Sequence, residues 1–375
     1  MLGILGGGQL ARMSTYAAHR LGIPVAIIAR PTDDNPASHV THRTFLGDWS
    51  DPALLEQVAR ECSVVTLENE FVDPKALAWL EAKGVKVHPS SACVAMVQDK
   101  YLQKCALRDA GLPVPRFAAT DTVADVVKAA ETLGWPLMLK CRRLGYDGYG
   151  NELLRTPADV EPGFQKLARR GSALMVEEFV PFTRELAIMV VRRPSGEEAV
   201  YPLVETVQHA HVCHTVLAPA DVSARTQARA EAVAREMMRA VGGTGIFAVE
   251  MFLLADGEVL INELAPRPHN SAHYSMEACA TSQFENHVRA VLDLPLGSTA
   301  MVVPAAAMVN LLATQAGPPD AKGLADALKV PGATVHLYGK SASRPGRKMG
   351  HVTAVGSNIR EVRELALKAA RCITL

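Results

Sequence analysis

The sequence predicts a mixed architecture, an α/β unit followed by α+β sections, and three observations carry that expectation. Short apolar runs alternate with helix-type segments from Leu2 to about Val87. A stretch punctuated by Gly and Pro then departs from the alternation. Longer strands follow, and one of their hairpins sets two glutamates face to face.

Leu2 to Leu5 reads as a strand, Gln9 to Leu21 as a helix and Pro24 to Ala29 as a second strand. Ser50-Asp51-Pro52 carries the polar cap and early proline of a helix start, and that helix runs to about Glu61. Val64 to Leu67 is a third strand, Asp73-Pro74 opens a helix that Gly84 stops, and Val85 to Val87 is a fourth strand. Such alternation means a parallel sheet covered on both faces, one mononucleotide-type unit. Gly111-Leu112-Pro113-Val114-Pro115 breaks the chain. A helix from about Val123 to Leu133, the strand Leu137 to Leu139, the glycine-rich Gly145 to Gly150, another helix and the strand Leu174 to Val176 form a small α+β module. From Glu185 the strands lengthen, and an Ala-rich helix from about Ala224 to Val241 stops at Gly242-Gly243. A hairpin and a helix from about Ile359 to Arg371 follow.

Composition narrows the function. The 375 residues carry 39 Lys+Arg and 39 Asp+Glu, a formal net charge of zero, so no basic surface for nucleic acid or anionic membrane is expected. Aromatics at 5% leave little for base stacking. The longest charge-free stretch, Leu294 to Pro319, is broken by Pro304, Asn310, Gln315 and Gly317, which argues against a membrane helix. Met1-Leu2-Gly3-Ile4-Leu5 lacks the basic start of a signal peptide. The seven cysteines are scattered and never form a C-x-x-C pair, a pattern expected of a reduced, cytoplasmic protein.

The strongest chemical signal lies between Ile246 and Glu263. Asp256-Gly257 reads as a two-residue hairpin turn. Ala255 then faces Glu258, and counting back along both strands sets Glu250 opposite Glu263. Like charges at that spacing repel. A shared Mg²⁺, which takes carboxylate oxygens and substrate phosphates, turns the repulsion into a site; two solvated glutamates on an edge are the alternative.

Other segments supply phosphate chemistry. Gly145-Tyr146-Asp147-Gly148-Tyr149-Gly150 follows a strand ending in Lys140, and such glycines let backbone approach phosphate beside a neutralising lysine. Gly6-Gly7-Gly8-Gln9-Leu10-Ala11 lies between strand and helix, where N–H groups and the helix dipole favour an anion. A dinucleotide site would want an acid about 20 residues on, and the sequence has Arg30-Pro31. Gly339 to Gly350 holds four bases and no acid, a phosphate pocket or a solvated loop. Arg267, His269 and Asn270 are donors suited to a small oxyanion. Glu177-Glu178-Phe179-Val180 leads out of a strand, and its backbone could bond a purine edge.

Together these pieces resemble an ATP-grasp ligase. Asp99-Lys100 stands before Gly-Leu-Pro-Val-Pro, Lys140 before the glycine-rich loop, then the Glu177 to Val180 hinge and the Glu250 and Asn262-Glu263 pair. Gly6 to Met13, Gly145 to Gly148, Ile261 to Ser271 and Arg344 to His351 narrow the resemblance to the N5-carboxyaminoimidazole ribonucleotide synthetases of purine biosynthesis. The resemblance covers nearly the whole chain.

It implies an ATP-grasp fold with an N-terminal Rossmann-like pre-ATP-grasp domain (1–98), a small lid domain (99–182) and a large domain (183–375) that includes a small C-terminal β-rich subdomain. The implied reaction uses ATP and bicarbonate to carboxylate the amine of 5-aminoimidazole ribonucleotide, through carboxyphosphate, releasing ADP and phosphate. Lys100 and Lys140 would hold ATP phosphates, with Gly145 to Asn151 as lid. The Glu177–Val180 backbone would bind adenine, Glu185 the ribose, and Gln208 would lie near ATP. Glu250 and Glu263, assisted by Asn262, would ligate Mg²⁺ or Mn²⁺. Arg267, His269 and Asn270 would bind bicarbonate and carboxyphosphate. Gly8, Gln9, Glu68, Tyr146 and Asp147 would line the aminoimidazole side, with Lys340 and Arg347 on its 5′-phosphate. A cytoplasmic homodimer is implied as well. The chain departs from the family pattern at Leu144, where relatives usually carry a glycine, at Tyr149, which replaces a basic residue, and at Gln208, which replaces a histidine.

The rival enzyme class is an NADP-dependent oxidoreductase, which explains Arg30 but leaves the glutamate pair unused. Within the ATP-grasp class, formate-dependent glycinamide ribonucleotide transformylase and biotin carboxylase are nearest; the Arg344 to His351 segment favours the aminoimidazole substrate. A catalytically silent nucleotide-binding regulator is the non-enzyme rival, and intact carboxylates argue against it.

Overall fold

The alternation of the first section produces β1 (Leu2–Leu5), α1 (Gln9–Arg20), β2 (Val25–Ala29), β3 (Arg43–Leu46), α2 (Pro52–Glu61), β4 (Val64–Leu67), α3 (Pro74–Ala82) and β5 (Lys86–Val87) in a computed structural model that describes residues 1–145, 150–209 and 212–375. The five strands form a parallel sheet in the order β3-β2-β1-β4-β5. Polar caps start the helices as the sequence requires: the Asp51 and Asp73 carboxylates accept from the N–H groups of Ala53 and Lys75, each beside a proline. The strand β3 escaped the sequence reading because only Phe45 of its four residues is buried. The helices α4 (Ser91–Val97) and α5 (Lys100–Asp109) lead out of this unit, and Asp99 caps α5 by accepting from the N–H groups of Tyr101 and Leu102.

The middle section holds β6 (Phe117–Thr120), α6 (Val123–Leu133), β7 (Leu137–Cys141), β8 (Asn151–Leu154), α7 (Val160–Ala168) and β9 (Leu174–Glu178). Its four strands pair antiparallel in the order β6-β9-β7-β8, over a core of Val126, Leu137, Leu139, Leu167 and Val176. The third section contains β10 (Arg184–Arg192), β11 (Glu198–Val200), β12 (Val204–His209), β13 (Val212–Ala218), α8 (Ala224–Ala240), β14 (Gly245–Leu253), β15 (Val259–Ala265), α9 (Ser275–Ala278) and α10 (Gln283–Val291). It continues with β16 (Ala305–Leu312), α11 (Leu324–Ala327), β17 (Ala333–Leu337), β18 (Lys348–Gly356) and α12 (Ile359–Cys372). A nine-stranded antiparallel sheet runs β15-β14-β10-β12-β13-β16-β18-β17, with β11 on β10. The C-terminal strands thus extend the large sheet.

One helix joins the first sheet to the third. Val288 and Val291 of α10 pack with Leu2, Ile4 and Ile27. His287 of the same helix, fully buried, accepts the Ile246 N–H at Nδ1 (3.2 Å), so Nε2 carries the proton and meets Thr66 Oγ1 at 3.0 Å. The cleft between the sections is therefore built on a fixed seam.

Candidate active site

The glutamates meet by a different route from the one the sequence suggests. The turn is a three-residue loop, Ala255 to Gly257: the Leu254 N–H donates to the Glu258 carbonyl, and Gly257 takes φ +86°. Ala255 therefore does not face Glu258, and near the turn Leu253 pairs with Val259 and Met251 with Ile261. A β-bulge at Asn262 then restores the count, and Glu250 does face Glu263. The bulge has a second effect. Ile261 and Leu264 both point into the core with Val249 and Met251, so the two residues between them, Asn262 and Glu263, turn together to the cleft.

The two carboxylates differ. Burial and the neighbouring Glu263 push the Glu250 carboxyl up to about 8. Burial opposes ionisation of Glu263 too, but its ion pair with Lys100 holds it below the usual range. Among the described residues no group of three or more His, Cys, Asp or Glu side chains is placed to hold a metal alone. Two facing carboxylates with an amide beside them are an all-oxygen floor, which fits a hard cation that draws its remaining ligands from phosphates.

A lysine-rich wall faces this floor. Lys140, next to last in β7, is buried and donates to Glu177 Oε2 at 2.8 Å and to Asn262 Oδ1 at 3.3 Å. Lys104, which sequence reasoning missed, reaches the other Glu177 oxygen at 3.2 Å. Burial alone would raise the Glu177 carboxyl, yet the two lysines draw it down to about 2. Glu177 is thus an internal counter-ion to Lys104 and Lys140. Glu178 points away to Arg116 at 2.6 Å. The N–H groups of Glu178 and Phe179 are taken by the Arg116 and Pro136 carbonyls. Phe179 is partly exposed and Val180 buried.

The glycine-rich segment from Gly145 to Asn151 is described at its two ends. Tyr146, Asp147, Gly148 and Tyr149 lie outside the described residues, as does His211. Leu144 takes φ +61°, the left-handed region that suits glycine. Its side chain packs on little and is 65% exposed. Gly150 takes φ +91° before Asn151, which pairs with Lys140 at the start of β8.

Beyond the floor, half-buried Arg267 makes a forked pair with Glu70 at 2.5 and 3.1 Å. The His269 ring accepts the Ser271 N–H at Nδ1 (3.4 Å), leaving Nε2–H to face Glu250 at 3.4 Å. Burial, then Arg267, drives its pKa well below the ordinary value, so the ring is neutral. Asn270 exchanges amide hydrogen bonds with Asn310 at 2.8 and 2.6 Å. Glu70 and Asn310 carried no sequence signal, since each is identified only by a partner far along the chain.

These groups enclose a cavity of about 700 Å³. Gln9, Glu68, Lys100, Gly145, Asn151, Glu185, Gln208, Glu250, Asn262, Glu263, Arg267, His269 and Asn270 all line it. Lys140 and Glu177 to Val180 do not. A second cavity, about 430 Å³, opens beside it and shares Gln9, Glu68 and Lys348. Its walls are the Gly6 to Gly8 turn, Asp34, Lys340, Arg344 and Arg347. Glu68 is buried there and accepts the Gly8 N–H; desolvation lifts its carboxyl to about 7. Lys340 donates to the Lys348 carbonyl at 2.6 Å, and burial with Arg347 lowers it to about 8. Arg347 is held by Asp34 at 2.9 Å. Arg30, the residue the dinucleotide reading needs, lies over the Trp49 ring at 4.4 Å.

The chain matches the ribonucleotide synthetase preATP-grasp domain over residues 1–98, the ATP-grasp domain over 105–284 and the phosphoribosylaminoimidazole carboxylase C-terminal domain over 306–365. It is 43% identical to the N5-carboxyaminoimidazole ribonucleotide synthase of Synechococcus elongatus, over 94% of this chain and 88% of that protein. It is 42% identical to the phosphoribosylaminoimidazole carboxylase of Schizosaccharomyces pombe, over 96% of this chain, and spans only 66% of that longer protein. The N5-carboxyaminoimidazole ribonucleotide synthetase structure from Thermotoga maritima superposes with TM-score 0.89 at 38% identity, covering 100% of this chain and 98% of that one. The Aspergillus clavatus N5-carboxyaminoimidazole synthase in complex with ADP and 5-aminoimidazole ribonucleotide gives 0.89 at 36% identity, covering 99% and 97%.

Proposed function

The chain belongs to the N5-carboxyaminoimidazole ribonucleotide synthase family, and from that premise we propose that it carboxylates the amine of 5-aminoimidazole ribonucleotide at the expense of ATP and bicarbonate, within purine biosynthesis. The observation that carries the reading is the pair of joined cavities, one floored by carboxylates with Lys100 and Lys348 in its lining, the other rimmed by Lys340, Arg344 and Arg347. ATP belongs in the first and the aminoimidazole nucleotide, by its 5′-phosphate, in the second. The rival NADP reading loses its support because Arg30 is engaged by Trp49.

In this reading Lys100 and Lys140 neutralise ATP phosphates, with Gly145 to Asn151 covering them and Glu185 and Gln208 on the nucleoside side. The Glu177–Val180 segment borders adenine. Glu250, Glu263 and Asn262 hold Mg²⁺ or Mn²⁺, which supplies charge neutralisation at the transferring phosphoryl group. A bicarbonate oxygen attacks the γ-phosphorus and ADP leaves. The nucleotide's amine nitrogen then attacks the carboxyl carbon of carboxyphosphate, or of the CO₂ that carboxyphosphate releases with phosphate, and the amine loses a proton. Arg267 provides fixed positive charge for the oxyanions, while neutral His269 and Asn270 supply hydrogen bonds. Gln9, Gly8 and Glu68 border the amine, and Lys340 and Arg347 fix the phosphate. The protein contributes positioning and exclusion of water. Three units, 1–98, 99–182 and 183–375, and a cytoplasmic homodimer complete the proposal. No helix among the described residues is long and apolar enough to cross a membrane.

The test is the fate of ¹³C-bicarbonate. An ATP-dependent carbamate resonance on 5-aminoimidazole ribonucleotide is the expected product, and its absence while ATP is consumed would redirect the assignment to another acceptor.

A further inference from the structure

β15 is the outer strand of the large sheet, so one side of its backbone has no strand partner among the described residues. A covered edge must satisfy its N–H and C=O groups elsewhere. The Ile261 N–H donates to the Pro113 carbonyl at 2.8 Å, and the Ile261 carbonyl accepts from Lys104 Nζ at 3.3 Å. The Leu264 N–H donates to Gln103 Oε1 at 3.2 Å. These contacts bracket Asn262 and Glu263, the two residues that the bulge turns into the cleft. Gln103 and Lys104 are each only 2% exposed, and both are anchored in turn, Gln103 by donating to the Val97 carbonyl at 3.2 Å and Lys104 by Glu177.

The bulge needs such support. Continuing the regular ladder from the Met251–Ile261 pair would put Asn262 opposite Glu250 and send Glu263 into the core beside Val249. We propose that Gln103 and Lys104 are positioning residues, which clamp the free edge of β15 on either side of the bulge and thereby keep Asn262 and Glu263 turned toward the cleft. Lys104 joins this clamp to the Glu177–Lys140 pair, so one helix sets both the carboxylate floor and the lysine wall. The inference rests on the reading of Glu263 as a metal ligand.

The test compares the full-length wild type with Gln103→Met and Lys104→Gln. Gln103→Met removes the acceptor for Leu264 at constant length; Lys104→Gln keeps a donor but removes the charge. Enzyme-bound Mn²⁺ is titrated by water-proton relaxation at saturating ATP, and ATP binding is measured separately in chelator by equilibrium dialysis. Loss of an outer-shell support costs metal affinity by about tenfold or more. The expected result is that loss in Gln103→Met, with metal-free ATP affinity within about twofold of wild type. Mn²⁺ affinity equal to wild type in a folded variant, or parallel weakening of metal and metal-free ATP binding, would overturn the clamp. If Gln103→Met does not fold, Lys104→Gln decides by Mn²⁺ affinity alone, because Lys104 also supports the Glu177–Lys140 pair: a loss of about tenfold or more is expected, and an affinity equal to wild type would overturn the clamp. A wild type that binds no Mn²⁺ with ATP would instead overturn the metal reading, and the clamp with it.

Discussion

Glu250 stands directly opposite Glu263 across β14 and β15, and the two carboxyls respond in opposite directions to the same cleft. Lys100 pairs with Glu263 and keeps it ionised, while Glu250 faces that negative charge and the neutral His269 ring. The floor therefore holds one proton more readily than two isolated glutamates would, and a cation must displace it.

Divalent-cation binding should accordingly release a proton and tighten as pH rises toward about 8, the value to which burial and Glu263 push Glu250. The sign for folding follows. A carboxyl raised above its ordinary 4.5 favours the folded state most at low pH, and that contribution is lost as pH rises through about 8. Thermal unfolding in chelator should show this loss between about pH 4.5 and 8, and Mg²⁺ with ATP should reduce it. A metal affinity independent of pH across that window would contradict the arrangement.

Gly8→Ala should damage the aminoimidazole side alone. A Cβ at Gly8 runs into both carboxylate oxygens of Glu68, which is buried and cannot swing into solvent. Losing that hydrogen bond and displacing Glu68 should raise the KM for the aminoimidazole nucleotide about tenfold or more, the cost of one charged hydrogen bond. The KM for ATP should stay within about twofold. Initial-rate kinetics in both substrates check this.

Lys340→Met and Arg347→Ala should each raise the same KM by about 10- to 100-fold, since a hydrogen bond to a charged group is worth about 1.5–3 kcal/mol. The corresponding riboside, without its 5′-phosphate, should bind wild type and both variants equally poorly. Equal sensitivity of nucleotide and riboside to the substitutions would place the phosphate elsewhere. Arg347→Ala also releases Asp34, so Asp34→Asn in that background should recover part of the loss.

Leu144→Gly should stabilise the protein. Leu144 holds a left-handed φ of +61° with a largely exposed side chain, so little packing is lost on its removal. Left-handed backbone costs an L-residue about 1–2 kcal/mol, which the flexibility of glycine in the unfolded chain partly offsets. A net gain of about 0.5–1 kcal/mol is expected from denaturant unfolding. A loss would mean that the Leu144 side chain holds the lid's base.

Much of this was legible along the chain, because local signals decide it. The caps at Asp51 and Asp73 start helices where the sequence places them. The four apolar runs that the sequence marks as strands in the first section pair in one parallel sheet. The facing of Glu250 and Glu263 was legible through two offsetting differences, a loop one residue longer than the expected turn and a bulge at Asn262. What stayed hidden is long-range. Lys104 looks like any helix lysine until Glu177, 73 positions on, is folded against it. Glu70, Asn310 and Asp34 are likewise defined by partners brought in from other sections.

The central claim is most directly tested by ADP release from Mg-ATP, with and without bicarbonate and 5-aminoimidazole ribonucleotide. ADP should form only when the aminoimidazole nucleotide and bicarbonate are both present, and Glu263→Gln should abolish it while the variant remains folded. ADP formation indifferent to the nucleotide, or undiminished in Glu263→Gln, would contradict the assignment of substrate or of metal floor respectively.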